Sequence, residues 1–312
     1  MARRAVARRA VAAVFSILLV ASAVFTLLDT FVFEQRLAVV ASGVSSALGA
    51  SSESADAFAD ASGDTSAGAT GSASAEASAE TSVSVSSQRL DDTTVYVADI
   101  QLAEGDTIQA ALADNTYGRN VTDTTSNIAD SVGARLAING DFYGARESGF
   151  VVRNGEVLRD ESAGDDQQDM VVWSDASMSV ISEGDWTAED LVAAGAVQVL
   201  SFGPALVVDS AVVVDAGDEV DQAMTSNPRT AVGYLGDGHY VFVVADGRTE
   251  ESAGLSLVEL ADFLQDLGAV QAYNLDGGGS STMVFDGSVV NNPTTNGGEI
   301  SERAVSDILY IG

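Results

Sequence analysis

The pattern of apolar and polar positions divides the chain into an apolar N-terminal run, a stretch of small residues and a longer part with many short apolar segments. No charge occurs from residue 11 to residue 28, and the apolar character resumes after Asp29 as far as Phe33. At about 1.5 Å per residue, this run can cross a hydrocarbon core ~30 Å thick. We therefore predict a transmembrane signal anchor over residues 11–33, after a basic cytoplasmic tail over residues 1–10.

The orientation follows from the arginines of this tail. Four arginines and no acidic residue precede the apolar run, which predicts that the N-terminus is cytoplasmic and the C-terminal part extracytoplasmic. Small residues at 21–23 could instead form a signal-peptidase site, and the remainder would then be secreted. Residues 34–87 consist mainly of Ser, Ala, Gly, Thr, Asp and Glu. They bury too little apolar surface to offset chain entropy, so we predict a disordered, low-complexity linker.

Strand-like apolar runs separated by turn residues begin near Gln88 and continue to the C-terminus. Residues 125–132 and 187–194 are predicted as helices, and a capping box at Ser256 opens a third helix that Gly268 ends. The predicted strands are 94–102, 135–139, 149–152, 156–158, 170–173, 178–181, 197–202, 205–208, 231–235, 240–245, 270–275, 283–285 and 306–311. The pattern predicts an α+β fold over residues 88–312: a single strand-rich domain with a mixed β-sheet core and few helices.

Composition narrows the chemistry. The net charge is −32, no Lys or Cys occurs, and after residue 88 nine arginines accompany 38 acidic residues. Such a surface repels nucleic acid. Without Cys or Lys, the chain has no thiolate nucleophile, disulfide, zinc-thiolate site or Schiff base. The only histidine, His239, lies in a turn before an apolar run and is interpreted as a hairpin residue. Catalysis would depend on carboxylates, arginines, hydroxyls and main-chain amides.

The predicted strand 270–275 delivers an acid, Asp276, to three glycines and Ser280. Residues without a Cβ let the backbone approach a ligand closely and turn N–H groups toward an anion. A flexible turn would explain the glycines equally well. Other polar clusters also lie where strands begin or end, and the scarce arginines among them predict a bidentate phosphate clamp. These clusters contain Asn139 and Asp141, Asn227 and Arg229, Asp246 and Arg248, and Arg303.

Several of these motifs occur together in one order: Asn-Gly-Asp-Phe-Tyr from 139, Phe-Gly-Pro from 202, Asn-Pro-Arg-Thr from 227, Asp-Gly-Arg from 246 and Asp-Gly-Gly-Gly-Ser from 276. Over residues 94–311 the chain resembles the phosphodiester glycosidases. The resemblance implies a site with Asn139, Arg229, Asp246, Asp276, Gly277, Gly278, Gly279, Ser280 and Arg303. At Arg248 the chain departs from the family pattern, and position 141 varies in the family.

We therefore hypothesise hydrolysis of a sugar-1-phosphodiester in cell-envelope glycans or glycolipids. Asp276 or Asp246 would serve as base or nucleophile, while Arg229 and the glycine amides would stabilise negative charge on phosphate. Substrate binding is assigned to Asn139, Asp141, Asn227, Arg248, Gly277, Gly278, Gly279, Ser280 and Arg303. No cofactor is assigned, and Asp246 and Asp276 could hold a divalent cation. The alternatives are a non-catalytic module that binds phosphoglycans or scaffolds the envelope, and a metal-dependent phosphodiesterase that cuts phosphorus–oxygen bonds.

Overall fold

The computed structural model describes residues 35–39, 80–215, 217, 226–295 and 298–312. These residues form three β-sheets, a separate strand pair and three α-helices. The pair consists of β1 (Gln35–Val39) and β5 (Thr116–Arg119). The helices are α1 (Thr125–Val132), α2 (Ala188–Ala193) and α3 (Leu257–Asp266). The prediction of a strand-rich domain with few helices is confirmed.

The largest sheet has seven strands. In spatial order they are β13 (Ala211–Val212), β12 (Ala205–Val208), β16 (Gln271–Asn274), β14 (Arg229–Gly236), β15 (His239–Ala245), β3 (Thr93–Gln101) and β2 (Ser82–Leu90). A five-stranded sheet contains β18 (Ser288–Val289), β17 (Met283–Phe285), β6 (Leu136–Asn139), β19 (Asp307–Ile311) and β4 (Gln109–Leu112). The third sheet contains β10 (Met178–Ser182), β9 (Gln168–Trp173), β11 (Ala196–Leu200), β7 (Val151–Arg153) and β8 (Glu156–Arg159).

Every strand pair among the described residues is antiparallel, so the predicted mixed sheet is wrong. Helix α3 connects β15 to β16. These two strands do run in the same direction, but β14 lies between them and pairs with both in the opposite direction. The helical crossover therefore skips one strand, and no parallel ladder forms.

Side-chain alternation gives each sheet one face toward a shared core and one toward a helix. On β15, Tyr240, Phe242 and Val244 enter the shared core, which also receives side chains from the other two sheets. The intervening Val241 and Val243 pack against α3. Helix α1 covers the outer face of the sheet that contains β6, and α2 covers the sheet that contains β9.

Helix α3 positions the strand that leads to the candidate acid. Its capping box is formed: Ser256 Oγ accepts from Glu259 N at 3.2 Å, and Glu259 Oε2 accepts from Ser256 N at 2.8 Å. Leu260 and Leu264 are buried against the large sheet. After the helix, Gly268 takes a positive φ of 91°, a conformation that glycine adopts readily. The chain then enters β16 and reaches Asp276.

The N-terminal boundary of the domain differs from the sequence prediction. Strand β2 begins at Ser82, before the expected start at Gln88, because residues 82–86 alternate Ser with Val and Val83 enters the core. Strand β1 lies within the residues predicted as linker. The predicted anchor over 11–33 lies outside the described residues, as does most of the linker. None of the helices in the described ranges is both long and apolar enough to span a bilayer.

Candidate active site

A cavity of about 560 Å³ opens at one end of the central strands of the seven-stranded sheet. The antiparallel register explains this place: Arg229 begins β14 opposite Ala245 at the end of β15, and Ala231 lies opposite Asn274 at the end of β16. Four arginines and two acidic residues line the cavity, which makes its lining cationic in a strongly acidic protein. The cationic residues are Arg146, Arg229, Arg248 and Arg303, and the acids are Asp166 and Asp276.

Asp276 lies at the centre of a hydrogen-bonded cluster in this cavity. Its Oδ2 accepts from Ser280 Oγ at 2.6 Å and from Arg303 Nη2 at 2.9 Å, while Arg303 Nε donates to Ser280 Oγ at 2.8 Å. The Asp276 side chain is 13% exposed and that of Arg303 is 43% exposed. Burial raises the pKa of Asp276, and the positive charge of Arg303 opposes this shift. The carboxylate is oriented, sheltered and still reachable from the cavity.

The backbone at Asp276 is fixed by Asn139, a buried residue at the end of β6. Asn139 Nδ2 donates to the Asp276 carbonyl at 2.6 Å, and its Oδ1 accepts from Thr230 Oγ1 and from the Thr282 amide. These contacts connect two sheets around the acid. Asn139 is absent from the lining of this cavity, so its place corresponds to positioning of Asp276 rather than to the predicted contact with phosphate.

The glycine triplet allows close packing. Gly278 has a φ of 62°, and its amide donates to the Pro228 carbonyl at 2.9 Å. A Cβ at Gly277 would lie 2.9 Å from that same carbonyl oxygen, and a Cβ at Gly278 would lie 2.8 Å from Arg248 Nη2. The predicted row of amides facing an anion is therefore wrong for Gly278, whose N–H is used inside the protein. The bare backbone instead lets a guanidinium approach beside Asp276.

Arg248 and Arg303 approach the same glycine segment from two sides. Arg248 Nε and Nη2 donate to Asn227 Oδ1 at 3.3 and 3.2 Å, and a Cβ at Gly279 would lie 3.5 Å from the Arg303 side chain. Burial, and then repulsion from Arg303, lower the pKa of Arg248. Arg248 also has a φ of 61°, a conformation that costs a non-glycine residue free energy. An anion placed here would relieve the repulsion between the two cations.

Arg229 is the third of the predicted arginines that line the cavity. Its side chain is buried, and its Nε donates to the Leu255 carbonyl at 2.8 Å. Residues 229, 248 and 303 were predicted from the sequence to form a clamp, and all three line one cavity with Asn227. Their binding of phosphate stays a prediction.

The family model for phosphodiester glycosidases matches residues 132–312, which is more than half of the chain. The chain belongs to the phosphodiester glycosidase family. The SPbeta prophage-derived uncharacterized protein YomE of Bacillus subtilis is 29% identical over 201 residues, 62% of this chain and 30% of its own length. The N-acetylglucosamine-1-phosphodiester alpha-N-acetylglucosaminidase of Mus musculus is 47% identical over 66 residues, 21% of this chain and 13% of its own length. This chain thus spans less than a third of either relative.

Solved structures share the fold. The catalytic domain of the zebrafish N-acetylglucosamine-1-phosphodiester alpha-N-acetylglucosaminidase aligns with a TM-score of 0.57 and 22% identity, over 74% of this chain and 82% of that domain. A hypothetical protein from Synechocystis aligns with a TM-score of 0.58 and 15% identity, over 74% of this chain and 62% of the other. At these identities the likeness concerns the fold alone.

Asp246, the second predicted acid, lies apart from the cavity lining. It is buried, and its carboxylate accepts from Asn292 N at 2.8 Å, Asn292 Nδ2 at 3.1 Å and Asn291 Nδ2 at 3.3 Å. Burial raises its pKa, while these hydrogen bonds oppose the shift. The contacts fix the 291–292 loop, so the geometry favours Asp276 over Asp246 for chemistry. Among the residues that the structure describes, no cluster of three or more His, Cys, Asp or Glu could hold a metal ion.

Asp141 also lies outside the cavity lining, although it was predicted to bind substrate. Its Oδ2 pairs with Arg153 Nη2 at 3.0 Å and accepts from the Ser201 amide, and its Oδ1 accepts from the Tyr143 amide. Arg153 also pairs with Asp307 at 2.7 Å. All three side chains are buried, so Asp141 belongs to an internal ion network.

Sequence reasoning missed part of the lining. Arg146, Phe202 and Asn274 border the cavity with Asp166 and the neighbouring glutamines. Two signals could have indicated them: Phe202 opens the Phe-Gly-Pro motif that contributed to the family resemblance, and Arg146 is one of only nine arginines after residue 88. In a domain with so few cations, each arginine near a predicted turn is a candidate for an anion site.

Proposed function

We propose that this domain hydrolyses a glycosyl phosphodiester, in which the anomeric carbon of a sugar is joined to a phosphodiester, in glycans or glycolipids of the cell envelope. One observation carries the proposal: in a protein of net charge −32, Arg229, Arg248 and Arg303 line one cavity together with a sheltered carboxylate, that of Asp276. Family membership supports the reaction class. The envelope as location depends on the predicted signal anchor.

Arg248 and Arg303 would hold the phosphate, because Arg303 Nη2 donates to the Gly277 carbonyl at 3.1 Å and the Arg248 guanidinium lies against the same glycine segment, which borders the cavity. Cleavage at the anomeric carbon expels a phosphate monoester. Its second pKa is about 6, so it leaves as an anion with little need for a proton donor. Electrostatic stabilisation by arginines would therefore replace the protonated carboxylic acid that many glycosidases use on the leaving-group side.

Asp276 would act on the sugar side of the bond. As a base, it would take a proton from water while the water oxygen bonds to the anomeric carbon and the bond from that carbon to the phosphate oxygen breaks. As a nucleophile, Asp276 would bond to the anomeric carbon while the bond from that carbon to the phosphate oxygen breaks. A water molecule would then replace the carboxylate at that carbon and lose its proton to solvent. Ser280 and Arg303 bind the same carboxylate oxygen, Oδ2, and so fix the orientation that either role requires.

The test is to incubate the full-length protein with a panel of sugar-1-phosphodiesters, including that of N-acetylglucosamine, in water enriched in heavy oxygen. We expect release of the sugar with the label on its anomeric hydroxyl. Label on the phosphate would show cleavage of a phosphorus–oxygen bond and a different enzyme class. Binding of the diesters without release of sugar would indicate a phosphoglycan-binding module.

A further inference from the structure

Arg146, the fourth arginine that lines the cavity, has no part in the chemistry described above. Its guanidinium lies 5.0 Å from the centroid of the Phe202 ring, and its Nη1 donates to the Ser201 carbonyl at 3.0 Å. Within the described part of the chain, Arg146 forms no ion pair. Arg146 combines this absence of an ion pair with a place in the cavity lining.

A series of contacts connects Asp276 to the part of the cavity lining that contains Arg146. Asp276 is held by Arg303, and two residues earlier Asn274 Nδ2 donates to the Gly203 carbonyl at 2.8 Å. Gly203 follows Phe202, on which Arg146 stacks. A substrate with its phosphate at Arg303 and its anomeric carbon at Asp276 would therefore extend its sugar over Asn274 and Gly203 toward Arg146.

We propose that Arg146 is a specificity residue for an anionic group on the sugar, either a carboxylate of the uronic acid type or a second phosphate. The inference rests on the proposed function, because it takes the orientation of the substrate from it. A guanidinium that is already stacked and held by one hydrogen bond loses little freedom when it binds an anion, and it can donate two parallel hydrogen bonds to either group.

A purely structural role would give Arg146 a different environment. Arg135 provides the comparison: it also lies over a phenylalanine ring, at 5.8 Å from Phe285, but it is paired with Asp286 at 3.6 Å and does not line the cavity. Both arginines thus cover an aromatic ring. Of the two, only Arg146 lines the cavity that also contains Asp276, and only Arg146 forms no ion pair with any residue that the structure describes.

The experiment measures binding by calorimetry to the full-length protein, with glucose 1-phosphate, glucose 1,6-bisphosphate and glucuronic acid 1-phosphate as probes. Glucose 1,6-bisphosphate and glucuronic acid 1-phosphate each carry a second anionic group. We expect one or both of them to bind about tenfold more tightly than glucose 1-phosphate, since hydrogen bonds between ionised groups are strong. Arg146→Gln should abolish this preference and leave the affinity for glucose 1-phosphate unchanged. Arg146→Lys should keep part of the preference, and Arg135→Gln should keep all of it.

The probe that gains affinity identifies the anion as phosphate or carboxylate. Equal binding of all three sugars by the unmodified protein would overturn the inference, whether or not the variants fold. So would an Arg146→Gln variant that weakens all three probes equally. If the diester panel is not cleaved but the preference is present, the proposed hydrolysis fails and the anion site stands. If the diester panel is cleaved but the three sugar phosphates bind equally, the proposed hydrolysis stands and the anion site fails.

Discussion

Two clusters in this molecule combine arginine with aspartate, and they differ mainly in burial. In one, Arg153 bridges Asp141 and Asp307, and all three side chains are inaccessible to solvent. In the other, Arg303 holds Asp276 at 2.9 Å while 43% of the arginine side chain remains exposed. Similar residues at similar distances therefore serve different purposes. The buried cluster joins elements of the fold, and the open cluster offers charges that a ligand can reach.

The comparison explains why ion pairing alone does not identify an active site. A buried pair loses its hydration whether or not a ligand is present, so its charges must satisfy each other. At the cavity, two arginines, 248 and 303, repel one another beside one sheltered carboxylate. An anion that binds here would reduce this repulsion. The clusters are also neighbours, since the charge of Asp276 contributes to the raised pKa of Asp307.

The largest effect should follow from Asp276→Asn in the open cluster. Turnover of a sugar-1-phosphodiester should fall by about 10³-fold or more, because general base or nucleophilic action is lost while Asn keeps the shape of the side chain. Thermal unfolding should change little. Asp246→Asn is the matched control, since that acid is buried outside the cavity lining, and it should retain turnover within about tenfold. Comparable losses of turnover in both variants would show that Asp246 also takes part in the reaction.

The next effect concerns the buried cluster. Arg153→Met should lower the free energy of unfolding by about 3–5 kcal/mol, because it leaves Asp141 and Asp307 buried without their cation. Urea titration followed by circular dichroism measures this change. Arg303→Met, the corresponding change in the open cluster, should cost less stability than Arg153→Met, because Arg303 is 43% exposed and Asp276 keeps its hydrogen bond from Ser280. It should, however, weaken binding of phosphate. If the two variants lost equal stability, the distinction drawn from burial would be wrong.

Much of the fold could be predicted from the sequence, because alternation and capping are local signals. The helix over 125–132 and the capping box at Ser256 were both predicted correctly. The direction of strand pairing was not, because the sequence around α3 does not show that β14 is inserted between the two strands that this helix connects. Most of strand β2 was assigned to the linker, because its serines are typical of a linker composition.

The candidate site was predicted in part for a related reason. Pattern shows that a polar residue follows a strand, but not the direction of its side chain. Asp276 and Asp141 both follow strands beside glycine, yet one lines the cavity and the other is bound to Arg153. Gly140 is needed because a Cβ there would overlap the Asp307 carboxylate. This glycine, which resembled part of a ligand-binding motif, serves the buried ion network instead.

The smallest effect is the pH dependence of stability that the buried cluster should produce. Burial, together with the nearby charge of Asp141, raises the pKa of Asp307 to about 7, although Arg153 opposes the shift. The raised pKa favours the folded state while Asp307 is protonated. Its contribution is therefore complete below the unfolded pKa of about 4 and is lost as pH rises through about 7. The slope cannot exceed about 1.4 kcal/mol per pH unit for one proton.

Urea titrations of the unmodified protein and of Asp307→Asn between pH 4 and pH 8 would measure this contribution. Asn cannot ionise, so the difference in the free energy of unfolding between the two proteins should change across this range in the direction that disfavours the unmodified protein at high pH. Asp276→Asn supplies the control, because removal of its charge should shift the transition of Asp307 to lower pH without abolishing it. A pH-independent difference between Asp307→Asn and the unmodified protein would show that Arg153 keeps both of its carboxylates ionised and that the buried cluster does not titrate in this range.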